Sequence, residues 1–289
     1  MLDVICAGQA VVDCITRGRE EKPYRPHVYR AQSIRLRLGG DAVNEAIALS
    51  ALGRKAGVVC AVGDDPAGLL LKHGLEQAGV DTSRMTTAVE ETPIAGIHVN
   101  ADGSRYSVNA PATRLKGYQI APEALSGARV VSLASLFRPP LENPEQVKTL
   151  IRGAKAQGSI LCADTKLPLR DGVTLDSLRE VLPLVDYLFP NEGEAAYYTG
   201  AGDFPAMAGA LRRYGVKNVI IKAGAQGCYV SGDGVETMLP AVPVSQVVDT
   251  TGAGDTFVAG FLNALLDGGS LLDCAHAGLT QAAKKISGQ

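Results

Sequence analysis

The sequence predicts an α/β protein, with a doubly wound, mostly parallel sheet carrying helices on both faces and a smaller separate sheet beside it. Three observations predict it. Short apolar runs alternate along the 289 residues with segments of helical periodicity. Several of these runs are apolar at every position rather than at every second one, as suits strands covered on both faces. Two helices begin at glycine-led turns, and doubly wound sheets bind ligands at such turns, outside the carboxyl ends of their strands.

In chain order, the first strand is expected at residues 4–7, Val-Ile-Cys-Ala. Residues 11–38 break the rhythm with alternating apolar and polar side chains, the period of a half-buried sheet. A helix is expected over 41–52, an apolar strand at 57–62 and a second helix over 67–78. Residues 93–109 alternate again, as in Ala95-Gly96-Ile97-His98-Val99-Asn100, with Asp102-Gly103 as a hairpin turn. These two alternating stretches make the separate sheet. Further strands are expected at 129–133, 159–163, 187–189, 219–222 and 228–231. Helices are expected at 144–157, 175–182, 192–199, 205–214, 255–266 and 271–285. The pattern implies one domain over residues 1–289, with segments 11–38 and 93–109 inserted in it.

Composition excludes several function classes. At 46% hydrophobic residues, the chain can bury a sizeable core. A formal net charge of −2 and no run of lysines or arginines argue against nucleic acid as a partner. The six cysteines, at 6, 14, 60, 162, 228 and 274, form no Cys-x-x-Cys pair, so neither a zinc site nor a redox pair is expected. Free thiols fit a reducing, cytoplasmic setting. The start, Met1-Leu2-Asp3-Val4-Ile5-Cys6, lacks a basic leader, and no apolar run approaches membrane-spanning length.

Chemistry concentrates at residues 249–262, where a glycine-rich turn joins an apolar helix and sets Asp255 at the joint. Gly252 and Gly254 let the backbone approach a ligand, and the amides of Gly252, Ala253 and Gly254 at the helix start favour phosphate oxygens. A carboxylate beside them can take the proton of an attacking hydroxyl while the amides neutralise developing charge. The alternative is that Asp255 only caps or charges the first helical turn. A second glycine-led start lies upstream, Gly39-Gly40-Asp41-Ala42-Val43-Asn44-Glu45-Ala46.

Together these segments resemble the two signatures of the ribokinase-like (PfkB) family of sugar and nucleoside kinases, Gly-Gly followed after three residues by Asn, and Asp-Thr-x-Gly-Ala-Gly-Asp. The resemblance implies a ribokinase-like fold in which the small sheet is a lid over the sugar site, and in some members also a homodimer interface. It places Asp13, Gly39, Gly40 and Asn44 on the sugar hydroxyls. Asp41 is either a further acceptor or a helix cap. Asn191 and Glu194 match an Asn-x-x-Glu motif near magnesium and the phosphates, Glu194 acting through water. The turn Lys222-Ala223-Gly224-Ala225-Gln226-Gly227 matches the nucleotide-binding turn, with Gly224 and Gly227 near ribose and adenine and Lys222 toward a phosphate. His276 falls where members approach the adenine, or is an ordinary packed or surface residue. Lys166, in Asp164-Thr165-Lys166, stands where relatives carry Asp-x-Asn or a similar polar pair, and is either a phosphate contact or a solvated rim lysine. Asp249 and Thr251 match the site of a monovalent cation, K+, that orders the anion loop.

Two departures stand out. The sequence stops at Gln289, about where relatives add carbonyls to the cation site, so activation by K+ is open. Segment 105–112 lacks the arginine that marks keto-acid sugar specificity, whereas Gly39-Gly40-Asp41 resembles keto-deoxysugar kinases and some fructokinases, so the sugar is open too. The implied function is an ATP- and Mg2+-dependent kinase acting on a primary hydroxyl of a small sugar, with Asp255 as base. The alternatives are a nucleoside kinase of the same fold or a non-catalytic sugar or nucleotide sensor; the intact Asp255 and Asn191-x-x-Glu194 argue against the sensor. A dinucleotide-dependent oxidoreductase is weaker, because no Gly-x-Gly-x-x-Gly follows the first strand.

Overall fold

Strand β1 (Leu2–Ala7) buries Val4 and Cys6 in one hydrophobic core and Ile5 and Ala7 in another, which is why residues 4–7 are apolar at every position. A computed structural model describes residues 1–20, 22–100, 104–109, 117–169 and 174–289. The chain continues through β2 (Val11–Arg17), β3 (Ser33–Gly39), α1 (Asp41–Ala51), β4 (Ala56–Val59), β5 (Ala61–Gly63), α2 (Pro66–Gln77), β6 (Thr86–Val89), β7 (Ile94–Val99) and β8 (Arg105–Asn109). It then forms β9 (Ala128–Leu136), α3 (Pro144–Ala156), β10 (Ile160–Thr165), β11 (Tyr187–Leu188), α4 (Glu192–Thr199) and α5 (Phe204–Arg213). The last elements are β12 (Asn218–Lys222), β13 (Cys228–Gly232), β14 (Val235–Leu239), α6 (Ala253–Leu266) and α7 (Leu271–Ser287).

Among the described residues the large sheet has the order β14-β13-β12-β11-β10-β9-β1-β4 and is parallel except at β13 and β14. Helices α1, α2, α6 and α7 share the core that holds Val4 and Cys6; α3, α4 and α5 share the core that holds Ile5 and Ala7. The sheet is therefore doubly wound, as its sequence predicts. The chain leaves β1 for β4 on one side and enters the sheet again at β9 on the other, so a crevice opens at the carboxyl ends beside β1. The small sheet, order β3-β2-β7-β8, stands over this end, because β2 leaves β1 after a three-residue turn and β3 runs straight into α1.

Three expectations change. The helix expected over 175–182 is two short 3-10 turns, Leu175–Leu178 and Leu182–Leu184. Pro183 removes a backbone donor there, while Leu175, Leu178 and Leu182 are buried in the core, so their spacing records packing and not an α-helix. The strand expected at 57–62 divides at Cys60 into β4 and β5, and β5 leaves the large sheet to pair with β6. The edge strand β14 went unexpected, because its half-exposed residues 235–238 carry no continuous apolar run. The Asp102-Gly103 turn lies outside the described residues.

Candidate active site

The two glycine-led helix starts meet across a cleft of about 960 Å3 at the carboxyl ends of the large sheet. At the first, Gly40 has φ 95°, and a Cβ there would stand 2.2 Å from the Gln9 carbonyl oxygen; a Cβ on Gly39 would stand 2.5 Å from Asp13 Oδ2. Only glycine lets the chain enter α1 this close to the β1–β2 turn. That entry turns Asn44 toward the second helix start, where its Nδ2 donates to Asp255 Oδ2 at 2.7 Å.

Asp255 is 5% exposed and lies in the first turn of α6, yet no side chain caps that helix, whose N-cap is Gly252 with φ 74°. The capping alternative is not realised. Burial raises its pKa to about 7, with the charge of Asp41 adding to the rise and Lys166, the Asn44 hydrogen bond and Lys222 opposing it. A carboxylate so poised accepts a proton near neutral pH without being locked in either state. The amide of Ala253 donates to the Thr250 carbonyl at 3.2 Å, so among the described residues Gly252 and Gly254 carry the freer donors of the turn.

Around Asp255 the other expected residues take definite places. Asp13, raised to about 6 by burial and by Asp41 against the pull of Arg37, lines the cleft from the small sheet. Asp41 does not cap α1 either: it accepts from Ser135 Oγ and from Lys166 Nζ, the latter at 3.1 Å. Lys166 is thus a cleft lysine bound to a cleft acid, and its pKa is raised because Asp41, Asp164 and further acids outweigh its burial. Lys222 forms an ion pair with Asp164, and its Nζ lies 3.5 Å from where a Cβ of Gly254 would stand, at the mouth of the glycine turn that opens α6.

Asn191 and Glu194 form a reciprocal capping box at the start of α4. Asn191 Oδ1 accepts from the Glu194 amide, and Glu194 Oε2 accepts from the Asn191 amide, each at 2.9 Å. Thr165 Oγ1 also donates to Glu194 Oε2 at 3.1 Å. Asn191 lines the cleft, while Glu194 is 3% exposed beneath it. Burial, then the charge of Asp164, raises the Glu194 pKa against Lys222, the Asn191 amide and Lys166. A cation between these two carboxylates and the cleft would relieve that repulsion, and an all-oxygen donor set suits magnesium.

Of the remaining expected residues, some reach the cleft wall and others do not. Thr251 and Gly224 line it, but Gly227 is packed against the chain after β14, where a Cβ would meet the Leu239 carbonyl oxygen at 2.0 Å. His276 is exposed on α7 and does not line the cleft. Asp249 also stands outside it, its Oδ2 accepting from Arg17 at 2.8 Å and Arg37 at 3.4 Å.

Sequence reasoning missed Arg138 and Glu142, which line the cleft from the segment after β9. The carboxyl-end rule pointed to that segment, but its backbone, with positive φ at Ser135 and Phe137, leaves no mark in the sequence. It also passed over Glu45, fully buried one turn beyond Asp41 and accepting from Ser132 Oγ at 2.6 Å. Burial pushes its pKa well above the carboxylate range, the Ser132 bond opposes this, and Asp255, Asp164 and Asp41 add to the rise. A glutamate in an amphipathic helix ordinarily reads as a surface residue.

Comparison with known proteins shows the family. The family profile described as pfkB family carbohydrate kinase matches residues 1–289. Ribokinase of Haemophilus influenzae is 30% identical over 264 residues, covering 89% of this chain and 82% of that protein. Cytidine kinase of Thermococcus kodakarensis is 29% identical over 294 residues, covering 98% and 95%. The structure of Arabidopsis thaliana ribokinase complexed with ribose and ATP shares the fold, with a TM-score of 0.82 at 24% identity over 99% of this chain and 92% of that one. With a matching profile over its whole length and the two glycine-led helix starts joined through Asn44 and Asp255, the chain belongs to the PfkB family of carbohydrate kinases.

Proposed function

We propose that this kinase transfers the γ-phosphoryl group of ATP to a primary hydroxyl of a small sugar, a ketose, pentose or keto-deoxysugar, with Asp255 as general base. The observation that carries the reading is the buried Asp255, held by Asn44 and poised near neutrality beside the amides of the α6 turn. The sugar rests between Asp13 and Asn44, which accept and donate to its ring hydroxyls. Asp255 takes the proton of the attacking hydroxyl. The Gly252 and Gly254 amides, with Ala253 and Lys222, balance charge on the transferring group. Magnesium, when bound, supplies charge neutralisation on phosphate oxygens, and Asn191 and Glu194 hold its water. The turn from Lys222 to Gly227 carries the nucleotide. The small sheet serves as a lid that excludes water from the acceptor position.

A nucleoside acceptor is the second reading, favoured by the cytidine kinase relative, which the chain covers almost completely. The two are separated by ADP release from the purified protein with ketoses, aldopentoses, keto-deoxysugar acids and nucleosides. One sugar turned over far above the ATPase background supports the first reading. Turnover of nucleosides alone replaces it with the second, and no turnover with any acceptor overturns both.

A further inference from the structure

The carboxylate of Asp249 lies three residues before Gly252 and is engaged at both oxygens. Its Oδ1 accepts from the Thr251 amide at 2.9 Å, and its Oδ2 accepts from Arg17 Nη2 at 2.8 Å and Arg37 Nη1 at 3.4 Å. Arg17 ends β2 and Arg37 lies in β3, so both cations come from the small sheet. On the C-terminal helix, Lys285 Cε lies 3.6 Å from where a Cβ of Gly252 would stand. The Ile286 carbonyl, on the same side, accepts the amides of Val248 at 2.7 Å and Asp249 at 3.4 Å.

These residues do not fit the monovalent cation that the family resemblance implies at Asp249 and Thr251. A potassium ion needs several oxygens free to face it. Here the carboxylate is shared by two guanidinium groups, the neighbouring carbonyl is spent on amides, and a further ion would sit beside two like charges. A guanidinium can do the same electrostatic work, since Arg17 and Arg37 each place one charged nitrogen on Asp249 Oδ2.

We infer that Arg17, supported by Arg37, replaces the monovalent cation in this kinase: it is a positioning residue that orders the anion turn through Asp249, and turnover is independent of K+. The inference rests on the proposed role of residues 252–254 as the anion hole. It adds that the brace of this turn is delivered by the sheet that covers the sugar, so the position of that sheet and the order of the turn are linked.

The first test needs no substrate. Thermal melting is compared in potassium chloride and choline chloride at equal ionic strength, for the wild type and for Arg17→Ala/Arg37→Ala. The wild type melts alike in both salts, whereas the double variant melts lower and regains stability with potassium or methylguanidinium. With an accepted sugar, the double variant loses about ten- to a hundredfold in kcat, the cost of a misplaced catalytic turn, at nearly constant KM for ATP. The same cations restore it, and Arg17→Lys keeps most of the activity. A potassium-specific rise in wild-type melting temperature or turnover overturns the inference, as does a double variant whose melting responds to neither cation. Because the melting comparison stands without turnover, absence of any sugar kinase activity would count against the proposed function alone.

Discussion

In the large sheet, residues 4–7 of β1 and all of β4 and β13 are buried, whereas in the small sheet four consecutive residues of β3, Ile34 to Arg37, are exposed. The large sheet is packed on both faces by helices; the small one buries Val12 and Ile15 of β2 but leaves most of β3 in solvent. The cleft takes residues from both. Asp255, Lys222 and Lys166 come from ends of elements locked into the large sheet, and Asp13 comes from β2. On the proposed roles, the base and the charge-balancing groups sit on elements packed against the large sheet, and recognition sits partly on the more exposed small sheet. The ion pairs from Arg17 and Arg37 to Asp249 join the small sheet to the segment that leads into α6.

The largest effect should come from the large-sheet side. Asp255→Asn is expected to lower kcat by a hundredfold to ten-thousandfold, roughly the contribution of a general base, with little change in KM for ATP. A variant keeping more than about a tenth of wild-type kcat would remove the base from Asp255. The same variant should melt higher than the wild type above pH 7. Because the folded pKa of Asp255 is raised to about 7, the stability linked to its neutral form is present at low pH and lost as pH rises through that value, and asparagine cannot ionise.

Packing gives the next contrast. Leu133→Ala in β9, at a position with no exposure, should cost about 2–5 kcal/mol in urea unfolding. Ile34→Ser in β3, 67% exposed, should stay within about 0.5 kcal/mol. Equal losses would mean that the small sheet is as much part of the core as the large one.

On the recognition side, Asp13→Ala and Asn44→Ala should each weaken sugar binding by roughly 1–3 kcal/mol, the cost of leaving buried polar partners unmet. Calorimetry with the sugar and with a non-hydrolysable ATP analogue separates recognition from misfolding, since equal losses for both ligands would contradict the assignment.

The smallest effect is a shift of pH profile. The acid limb of kcat/KM for the sugar should fall near pH 7, because Asp255 must be ionised to accept a proton. Asp41→Asn should move it down and Lys166→Met should move it up, since the first removes a repelling charge and the second an attracting one. A limb that ignores both substitutions would show that another group titrates.

By itself the sequence determined the elements whose signal is local. Apolar runs at every position announced a sheet covered on both faces, and the glycine pairs announced the helix starts, because a backbone that must pass within contact distance of Gln9 admits no side chain at residue 40. The expected bounds of α3, α4 and α5 fall within about one residue of those observed, for the caps Asn143, Asn191 and Asp203 act over a single turn. Tertiary structure alone decided which side chains meet. Asp255 and Asp41 are chemically able to cap their helices, and only the crossing of α1 and α6 gives the first to Asn44, and only the seating of α1 beside the ends of β9 and β10 gives the second to Ser135 and Lys166. It also decided that residues 175–184 are 3-10 turns, that Glu45 is buried, and that Arg17 lies against Asp249 from 232 residues away. Such pairings depend on how sheets and helices are stacked, and a carboxylate's pKa depends on the burial and charges that stacking creates, neither of which is written within one helical turn of the residue itself.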